Sequence, residues 1–176
     1  MCRLTTLTLT TMALLCLAVA LPAGNAVAQQ KQQVSYKVSA ENSKYTQQLN
    51  IDAGDLPNHL VRVYEVRRTF PNDAPVINGF KLVEEWDRGT ADLADGNGTG
   101  TAYTVYVMEN GDKFFDRRAA IAQSTSGKIT ATHVGYITGG TGKFAGMQGI
   151  VRASVNFDPK TNVTENQIDI EYWIAK

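Results

Sequence analysis

The sequence predicts an all-β, antiparallel domain, and three observations support this prediction. Short runs that alternate between apolar and polar residues recur along the chain, with the period of two residues that a half-buried strand requires. Helical periodicity is almost absent. Glycine, asparagine, aspartate and proline separate the runs, as expected for turns. Eight or nine consecutive strands in about 140 residues fit a β-sandwich or an up-and-down barrel, and the pattern alone leaves both open.

Nine runs have the length and composition of strands. The clearest turn signals between them are ENGD at 109–112, STSGK at 124–128 and DPKTN at 158–162. The longer loop FPNDAPVING at 70–79 contains two prolines, which cannot occupy a central strand. The predicted strands cover 33–39, 45–52, 60–70, 79–88, 99–109, 112–123, 128–138, 149–157 and 166–174.

The N-terminal segment has the features of a secretory signal peptide. One arginine precedes an apolar, threonine-rich run, and small residues ending in AVA follow it. We predict cleavage after Ala28, so that residues 1–28 are the signal peptide and residues 29–176 form one domain. The protein is then secreted or periplasmic, with no membrane partner after cleavage. A transmembrane anchor is the less favoured alternative, because the apolar run is short and is broken by threonines and Pro22.

Length and charge limit the classes of function. The chain has 176 residues, of which 43% are hydrophobic, so one ordinary domain with its own core is expected. Lysine and arginine together number 17, as do aspartate and glutamate. The resulting net charge of +0 gives no electrostatic basis for a nucleic-acid partner, and none is predicted.

Motifs of the common enzyme classes do not occur in the sequence. His59 and His133 are far apart and show no HxH or HExxH spacing, so no metal is predicted. Neither a GxSxG nor a GxxxxGK[ST] motif is present. Signal-peptide cleavage removes Cys2 and Cys16, which leaves no thiol nucleophile and no disulfide. We expect no cofactor.

Alternation also predicts which side chains face the core. The last two predicted strands are apolar on one face and polar on the other. In 60–70 both faces contain charge, which leaves the facing open: one face has Arg62 and Arg68, and the other has Glu65 and Arg67.

Glu84 is the most unusual residue in this pattern. Strict alternation places it on one face with Phe80, Leu82 and Trp86, among large apolar groups. A buried carboxylate is costly unless it is paired, so we hypothesise a Glu84–arginine pair inside the sheet. The alternatives are a solvated Glu84 at the rim, or a β-bulge that shifts its facing.

The C-terminal part of the chain resembles the allene oxide cyclase and dirigent families. The segment GYITGGTGKFAGMQG at 135–149 leads into another strand and not into a helix, so it does not resemble a phosphate-binding loop. Both families have a GGTGxF stretch, a glycine about five positions later, a strand ending near FD, and a closing EY strand. The matching residues are Gly139, Gly140, Thr141, Gly142, Phe144, Gly149, Phe157, Asp158, Glu171 and Tyr172.

The resemblance implies a single eight-stranded antiparallel up-and-down β-barrel of the allene-oxide-cyclase, calycin type, with an apolar lumen. Such proteins are often trimers, so a homo-oligomer, trimer or dimer, is among the expectations. Members steer the cyclisation or radical coupling of a hydrophobic small molecule, which is therefore the expected partner. The cyclases have a lumen cysteine that has no counterpart in the mature chain.

Three functions follow from this reading. The barrel binds a hydrophobic small molecule, or it also acts as a cofactor-independent isomerase or cyclase. Alternatively, side chains fill the barrel and the protein has a structural or surface-interaction role. Each candidate residue also has an ordinary structural explanation, burial with a hydrogen bond. The candidates are Glu84 and Tyr106 for catalysis, Arg67, Trp86, Tyr136 and Phe80 for ligand binding, and Gly139, Gly140, Gly142 and Phe144 for the structure of the barrel end.

Overall fold

The structure is a computed structural model that describes residues 30–158, 160 and 163–175. The predicted signal peptide, residues 1–28, lies outside the described residues together with both cysteines. Within the part of the chain that is described, no helix has the length and apolar character needed to cross a membrane.

The described chain is built from antiparallel strands and two short 3₁₀ turns. One turn, Ala40–Asn42, joins the first two strands, and the other, Gly142–Phe144, precedes the ninth. The strands are β1 (Gln32–Val38), β2 (Ser43–Asp52), β3 (His59–Thr69), β4 (Val76–Ile77), β5 (Phe80–Ala94), β6 (Asn97–Met108), β7 (Lys113–Thr125), β8 (Lys128–Gly140), β9 (Met147–Asp158) and β10 (Val163–Ile174).

The strands form one sheet in the order β1-β10-β9-β8-β7-β6-β5-β3-β2, with the short β4 paired to β5. The all-β, antiparallel prediction is confirmed, and all nine predicted strands are present. The structure has ten strands, whereas the resemblance implies eight. One of the additional strands is β4, which forms within the loop after β3. Among the described residues, no ladder joins the two edge strands β1 and β2.

The sheet curls around a common interior. Its two edge strands are consecutive in the chain and are joined only by the first 3₁₀ turn, which brings the edges together at one end. Side chains also meet across the interior: the Tyr36 hydroxyl of β1 donates to Glu85 Oε2 of β5 at 3.2 Å. Near the opposite end, the backbone NH of Asn78 donates to the hydroxyl of Tyr172 at 2.7 Å. One face of the sheet is therefore enclosed and the other is the outer face.

Large apolar side chains fill one end of this interior, which we call the plugged end. The ring of Phe144 lies there, fully buried, with its centroid 5.6 Å from that of Phe114 and 6.1 Å from that of Phe80. The Tyr106 ring stacks on Phe114 with a centroid distance of 4.0 Å. The other members of this packed cluster include Ile77, Leu82, Met108, Met147, Val151, Ile170 and Tyr172.

Candidate functional site

A layer of polar side chains crosses the middle of the interior. Its residues come from five strands whose inward positions would ordinarily be apolar, and most are almost completely buried. We call this set the buried polar layer: Tyr36, Arg68, Glu85, Asp87, Thr104, Tyr106, Asp116 and Arg118.

Two arginines organise the layer. Arg68 Nη1 lies 2.6 Å from Glu85 Oε1 and 3.2 Å from Asp87 Oδ2. Arg118 Nε donates to Asp116 Oδ1 at 3.0 Å, and its Nη2 lies 3.7 Å from Glu85 Oε1. Glu85 therefore lies between both guanidinium groups, so neither arginine is without a carboxylate partner. Burying charges at this density is tolerable only because each is paired and hydrogen-bonded.

Hydroxyl groups complete the layer. The Tyr106 hydroxyl donates to Asp116 Oδ2 at 2.6 Å. Thr104 accepts a hydrogen bond from Arg118 Nη2, and its own hydroxyl donates to Asp87 Oδ1 at 3.4 Å. These contacts link the Arg68 and Arg118 groups into one connected network, which low dielectric strengthens.

The pKa shifts in this layer follow from burial and from the arginines. Burial would raise the pKa of Asp87, but the charges of Arg118 and Arg68 outweigh it and lower that pKa. Burial raises the pKa of Asp116, and the arginine beside it only partly offsets this. Burial also raises the pKa of the Tyr106 hydroxyl well above its usual value. Tyr106 is therefore a hydrogen-bond donor at neutral pH and not a phenolate.

A cavity of about 120 Å³ lies on the other side of the polar layer, at what we call the cavity end. Four alanines contribute only methyl groups to its walls, Ala91, Ala120, Ala122 and Ala131. The larger side chains of Tyr45, Tyr64 and Phe157 also line it. Arg68, Asp87 and His133 line it on the side of the polar layer. The lining also includes Tyr45, Arg62 and Phe157, which are only partly buried, so the cavity reaches solvent.

Two of the polar residues lining the cavity have unpartnered nitrogen atoms. Arg68 Nε and His133 Nδ1 are both buried, and neither makes a hydrogen bond to the described residues. Arg68 is 4% exposed and His133 is 7% exposed. Unpartnered buried polar atoms are rare in native proteins. Among the described residues, Ser43, Arg67 and Asn166 also have such atoms, but only Arg68 and His133 line the cavity.

Glycine at position 135 is needed for this arrangement. A Cβ atom at Gly135 would lie 2.6 Å from Cγ of Arg118 and would also collide with the carbonyl oxygen of Arg117. The absence of a side chain therefore lets Arg118 lie flat against β8 and reach Asp116 and Thr104.

The predicted inward facing of Glu84 is wrong. The register of β5 against β6 shifts between Leu82 and Glu84, so a β-bulge inserts one residue there. After the bulge Glu85 and Asp87 point inward, and Glu84 points outward. The predicted Glu84–arginine pair does exist, with Arg67 as the partner, but it lies on the outer face.

Trp86 and Arg67 also lie on the outer face, contrary to their predicted place in a lumen. The Trp86 ring lies between the guanidinium groups of Arg67 and Arg88, each 5.4 Å from its centroid. Its indole NH donates to Glu84 Oε2 at 2.9 Å. The cause is again register: Arg67 pairs directly with Trp86 across β3 and β5, so the two share a face.

The remaining predicted site residues are distributed over three places. Tyr136 is 58% exposed on the outer face, which contradicts its predicted place in the lumen. Phe80 packs against Phe144 at the plugged end and does not line the cavity. Tyr106 lies inside, in the buried polar layer. Their predicted catalytic and ligand-binding roles stay predictions.

The glycine segment forms the corner behind Phe144, as its sequence suggests. Gly142 has a φ of +50° in the second 3₁₀ turn, where a Cβ atom would collide with the Asp112 carboxylate. A Cβ atom at Gly140 would lie 2.5 Å from the Phe144 carbonyl oxygen. Gly139 has a φ of +146° at the end of β8. These glycines let the chain turn sharply and place Phe144 in the core.

Apart from Tyr106, the residues of the buried polar layer are not among the predicted site residues. Alternation leaves the facing of Arg68 open, and the spacing of His133 from His59 argues only against a metal site. A usable signal was present in FFDRRA at 114–119, where Asp116 and Arg118 alternate with Phe114 on one face. Charged residues at inward positions of several neighbouring strands indicate a network of ion pairs between strands, because a buried charge needs a partner.

The described residues contain no group of three His, Cys, Asp or Glu side chains arranged to hold a metal ion. The polar groups that line the cavity are the guanidinium groups of Arg62 and Arg68, the carboxylate of Asp87, the imidazole of His133 and the hydroxyls of Tyr45 and Tyr64. Burial, followed by the charge of Arg118, lowers the pKa of His133 to about 4. At neutral pH the imidazole is uncharged and can either donate or accept a hydrogen bond.

Comparison with known proteins adds one structural similarity. No protein-family model matches this sequence, and no curated protein matches it. A solved structure of a pterocarpan synthase dirigent protein is similar, with a TM-score of 0.46 and 13% sequence identity. The match covers 84% of this chain and 88% of that chain.

Proposed function

We propose that this protein is an exported binding protein that holds a small, mainly apolar molecule in the cavity end of its sheet. The observation behind the proposal is the combination of a hollow with apolar walls and a buried polar boundary that has unpartnered nitrogen atoms. Ligand sites are typically of this kind, mostly apolar with a few polar groups that fix orientation. The proposed secreted or periplasmic location follows from the N-terminal sequence features.

The volume of the cavity limits the ligand. A cavity of about 150 Å³ lined by apolar side chains is known to accept benzene. The hollow here, of about 120 Å³, suits a molecule or a molecular fragment near the size of one ring. Because the lining reaches solvent beside Tyr45, Arg62 and Phe157, a longer molecule can place one end inside and leave the other outside.

The proposal also includes the steering of a reaction, the cyclisation or isomerisation of the bound molecule. A cavity that holds its ligand in one conformer lowers the entropic cost of cyclisation or isomerisation without a strong nucleophile. The group best placed to move a proton is His133, which lines the cavity and is neutral at pH 7. Tyr106 would act through Asp116 and Arg118, since its hydroxyl already donates to Asp116. Glu84 lies outside this arrangement.

A second candidate function is association through the outer face, as a structural protein or as a homo-oligomer. Large apolar side chains are unusually exposed there, and monomeric proteins rarely expose apolar patches of this kind. Trp173 in β10 is less available for a contact with another chain. Its indole NH donates to Gln148, and Lys31 lies over its ring. The exposed residues, on the outer face of β3, β7 and β8, are Val63, Ile121, Val134 and Tyr136, at 48%, 63%, 52% and 58% exposure.

Native mass spectrometry of protein purified from its own host tests both candidates. We expect an adduct of small mass that is lost under mild collisional activation, and the same spectrum reports the number of chains. The variant Ala120→Leu fills the cavity and should abolish the adduct, whereas Ala119→Leu changes the neighbouring outward residue and should retain it. An adduct that survives Ala120→Leu, with correct folding shown by circular dichroism, would contradict binding in the cavity.

A further inference from the structure

We propose that the cavity selects an electrically neutral ligand with a hydrogen-bonding group, and that this group docks against Arg68 Nε and His133 Nδ1. Carboxylate ligands of the same size are excluded. The inference rests on the proposed binding function and specifies the chemistry of the ligand at that same site.

Arginines on a cavity wall normally suggest an anionic ligand, and two line this cavity. Arg62 is partly buried, and its Nε donates to Asn50 Oδ1 at 2.8 Å. Arg68, which lies at the polar layer beside His133, is already neutralised. Its Nη1 atom contacts Glu85 at 2.6 Å and Asp87 at 3.2 Å, and all three residues are buried. The two acids outweigh the effect of burial and raise the pKa of Arg68, so the guanidinium keeps its charge. A ligand carboxylate would therefore compete with two carboxylates that are already in place.

The wider charge balance gives the same result. Two arginines in the polar layer face three carboxylic acids, Glu85, Asp87 and Asp116. With Asp116 ionised the layer is net negative, and with Asp116 protonated it is neutral. In neither state does the layer attract an anion. Transfer of a carboxylate from water into such a site is unfavourable, because the lost hydration is not replaced by an opposite net charge.

His133 does not supply the missing positive charge. Its ring lines the cavity, and its pKa of about 4 leaves it uncharged at pH 7. The charged groups that act on the pKa of His133 are Arg118, Asp87 and Arg68, which lie on other strands of the interior. A neutral imidazole can hydrogen-bond to a ligand carbonyl, amide or hydroxyl in either tautomer.

The unpartnered nitrogens explain why the ligand needs a polar group at all. A buried donor without an acceptor is destabilising, so a ligand atom that accepts from Arg68 Nε relieves a penalty already present in the free protein. An apolar ligand of the same size would fill the hollow and leave that penalty in place. A neutral polar group should therefore bind more tightly than an apolar one.

Three single-ring probes of nearly equal size separate these effects: benzamide, which is neutral and polar, benzoate, which is its anionic counterpart, and toluene. Affinities are measured at pH 7 by NMR titration of the folded protein, with the His133 imidazole signals as a local reporter. We expect benzamide to bind about tenfold or more tightly than benzoate and several-fold more tightly than toluene. Benzamide should also shift the His133 signals.

Each other outcome has a defined meaning. If benzoate binds as tightly as benzamide, selection for neutral ligands is wrong while binding in the cavity stands. If toluene equals benzamide, docking on the polar nitrogens is wrong and only the apolar cavity remains. If none of the three binds and Ala120→Leu changes nothing, both this inference and the proposed function are overturned.

A substitution at the docking site gives an independent test. His133→Leu keeps a side chain of similar volume but removes the ring nitrogens, so benzamide affinity should fall several-fold while toluene affinity is retained. The matched control is Val134→Leu, the next residue, whose side chain is on the outer face. Circular dichroism establishes that both variants fold. Equal loss of benzamide and toluene binding in His133→Leu would indicate collapse of the cavity and contradict a docking role.

Discussion

The two ends of the sheet interior are made by the same strands but have opposite contents. At the plugged end, Phe114, Phe144 and Tyr172 are fully buried and pack ring against ring or against aliphatic side chains. At the cavity end, alanines occupy corresponding inward positions and leave a volume of about 120 Å³. The buried polar layer separates the two ends.

This difference shows how one fold divides stability and binding. Large side chains at the plugged end gain dispersion contacts and remove apolar surface from water. Small side chains at the cavity end forgo that gain and keep a space free. The ion pairs of the polar layer contribute little net stability by themselves. Removal of one partner, however, would leave an unpaired charge buried between the two ends.

The strongest way to break this division is to remove an arginine from the polar layer. Arg68→Met leaves Glu85 and Asp87 buried without their direct partner. We expect a loss of about 3–5 kcal/mol in the free energy of unfolding, or failure to fold, measured by urea denaturation. The control Arg67→Met removes the neighbouring outer-face arginine and should change stability little. Equal effects of the two substitutions would contradict the polar layer as described.

Truncation at the plugged end should have the next largest effect. Phe144→Ala removes a fully buried ring that packs against Phe114 and Phe80. The expected loss is about 3 kcal/mol in unfolding free energy. Phe157→Ala, at the cavity end, should cost clearly less, because Phe157 is only half-buried and already borders empty space. A larger loss from Phe157→Ala would reverse the assignment of the two ends.

The corner behind Phe144 should be sensitive to a single methyl group. In Gly142→Ala the alanine would have to adopt the φ of +50° that Gly142 has. Its Cβ atom would also displace the Asp112 carboxylate, whose Oδ2 accepts from the Lys143 NH at 2.9 Å. We expect a loss of about 1–2 kcal/mol in thermal or chemical unfolding. Gly111→Ala also has a positive φ but meets no neighbouring atom, so it should cost less. Similar losses for the two would mean that the Asp112 contact is unimportant.

The smallest effect is expected at the rim of the cavity end and depends on pH. His59 Nε2 contacts Asp92 at 2.6 Å and its Nδ1 contacts Asp55 at 2.5 Å. Hydrogen bonds to Asp92 and Asp55 raise the pKa of His59 above its usual value. The folded state therefore holds the proton more tightly than the unfolded chain.

This stabilisation is complete below the unfolded-state pKa of about 6.5 and is lost as pH rises through the higher folded-state pKa. Denaturation midpoints should thus decrease slightly from pH 6 to pH 8.5 in the native sequence and less so in His59→Gln. NMR titration of the His59 ring measures the folded-state pKa directly. A value at or below 6.5 would refute the double carboxylate contact.

The strand positions were accessible from sequence because alternation and turn residues are local signals. All nine predicted strands are present, and GYITGGTGKFAGMQG forms the corner that its glycines suggest. The inward faces of β9 and β10 were also predicted correctly, since neither strand has an irregularity in its mutual ladder. The bulge in β5 has no recognisable signal in the sequence. Because it inserts one residue into the strand, Glu85 faces inward where strict alternation predicts Glu84.

The sequence by itself determined the class of fold and the location of its strands, because side-chain period and turn chemistry depend on neighbours along the chain. Only the tertiary structure decided which charged residues meet. Arg68, Glu85, Asp116 and Arg118 come from separate strands, and their contacts depend on register and on the curl of the sheet. The cavity is decided in the same way, because the absence of side-chain volume at one end becomes a hollow only when distant strands enclose it.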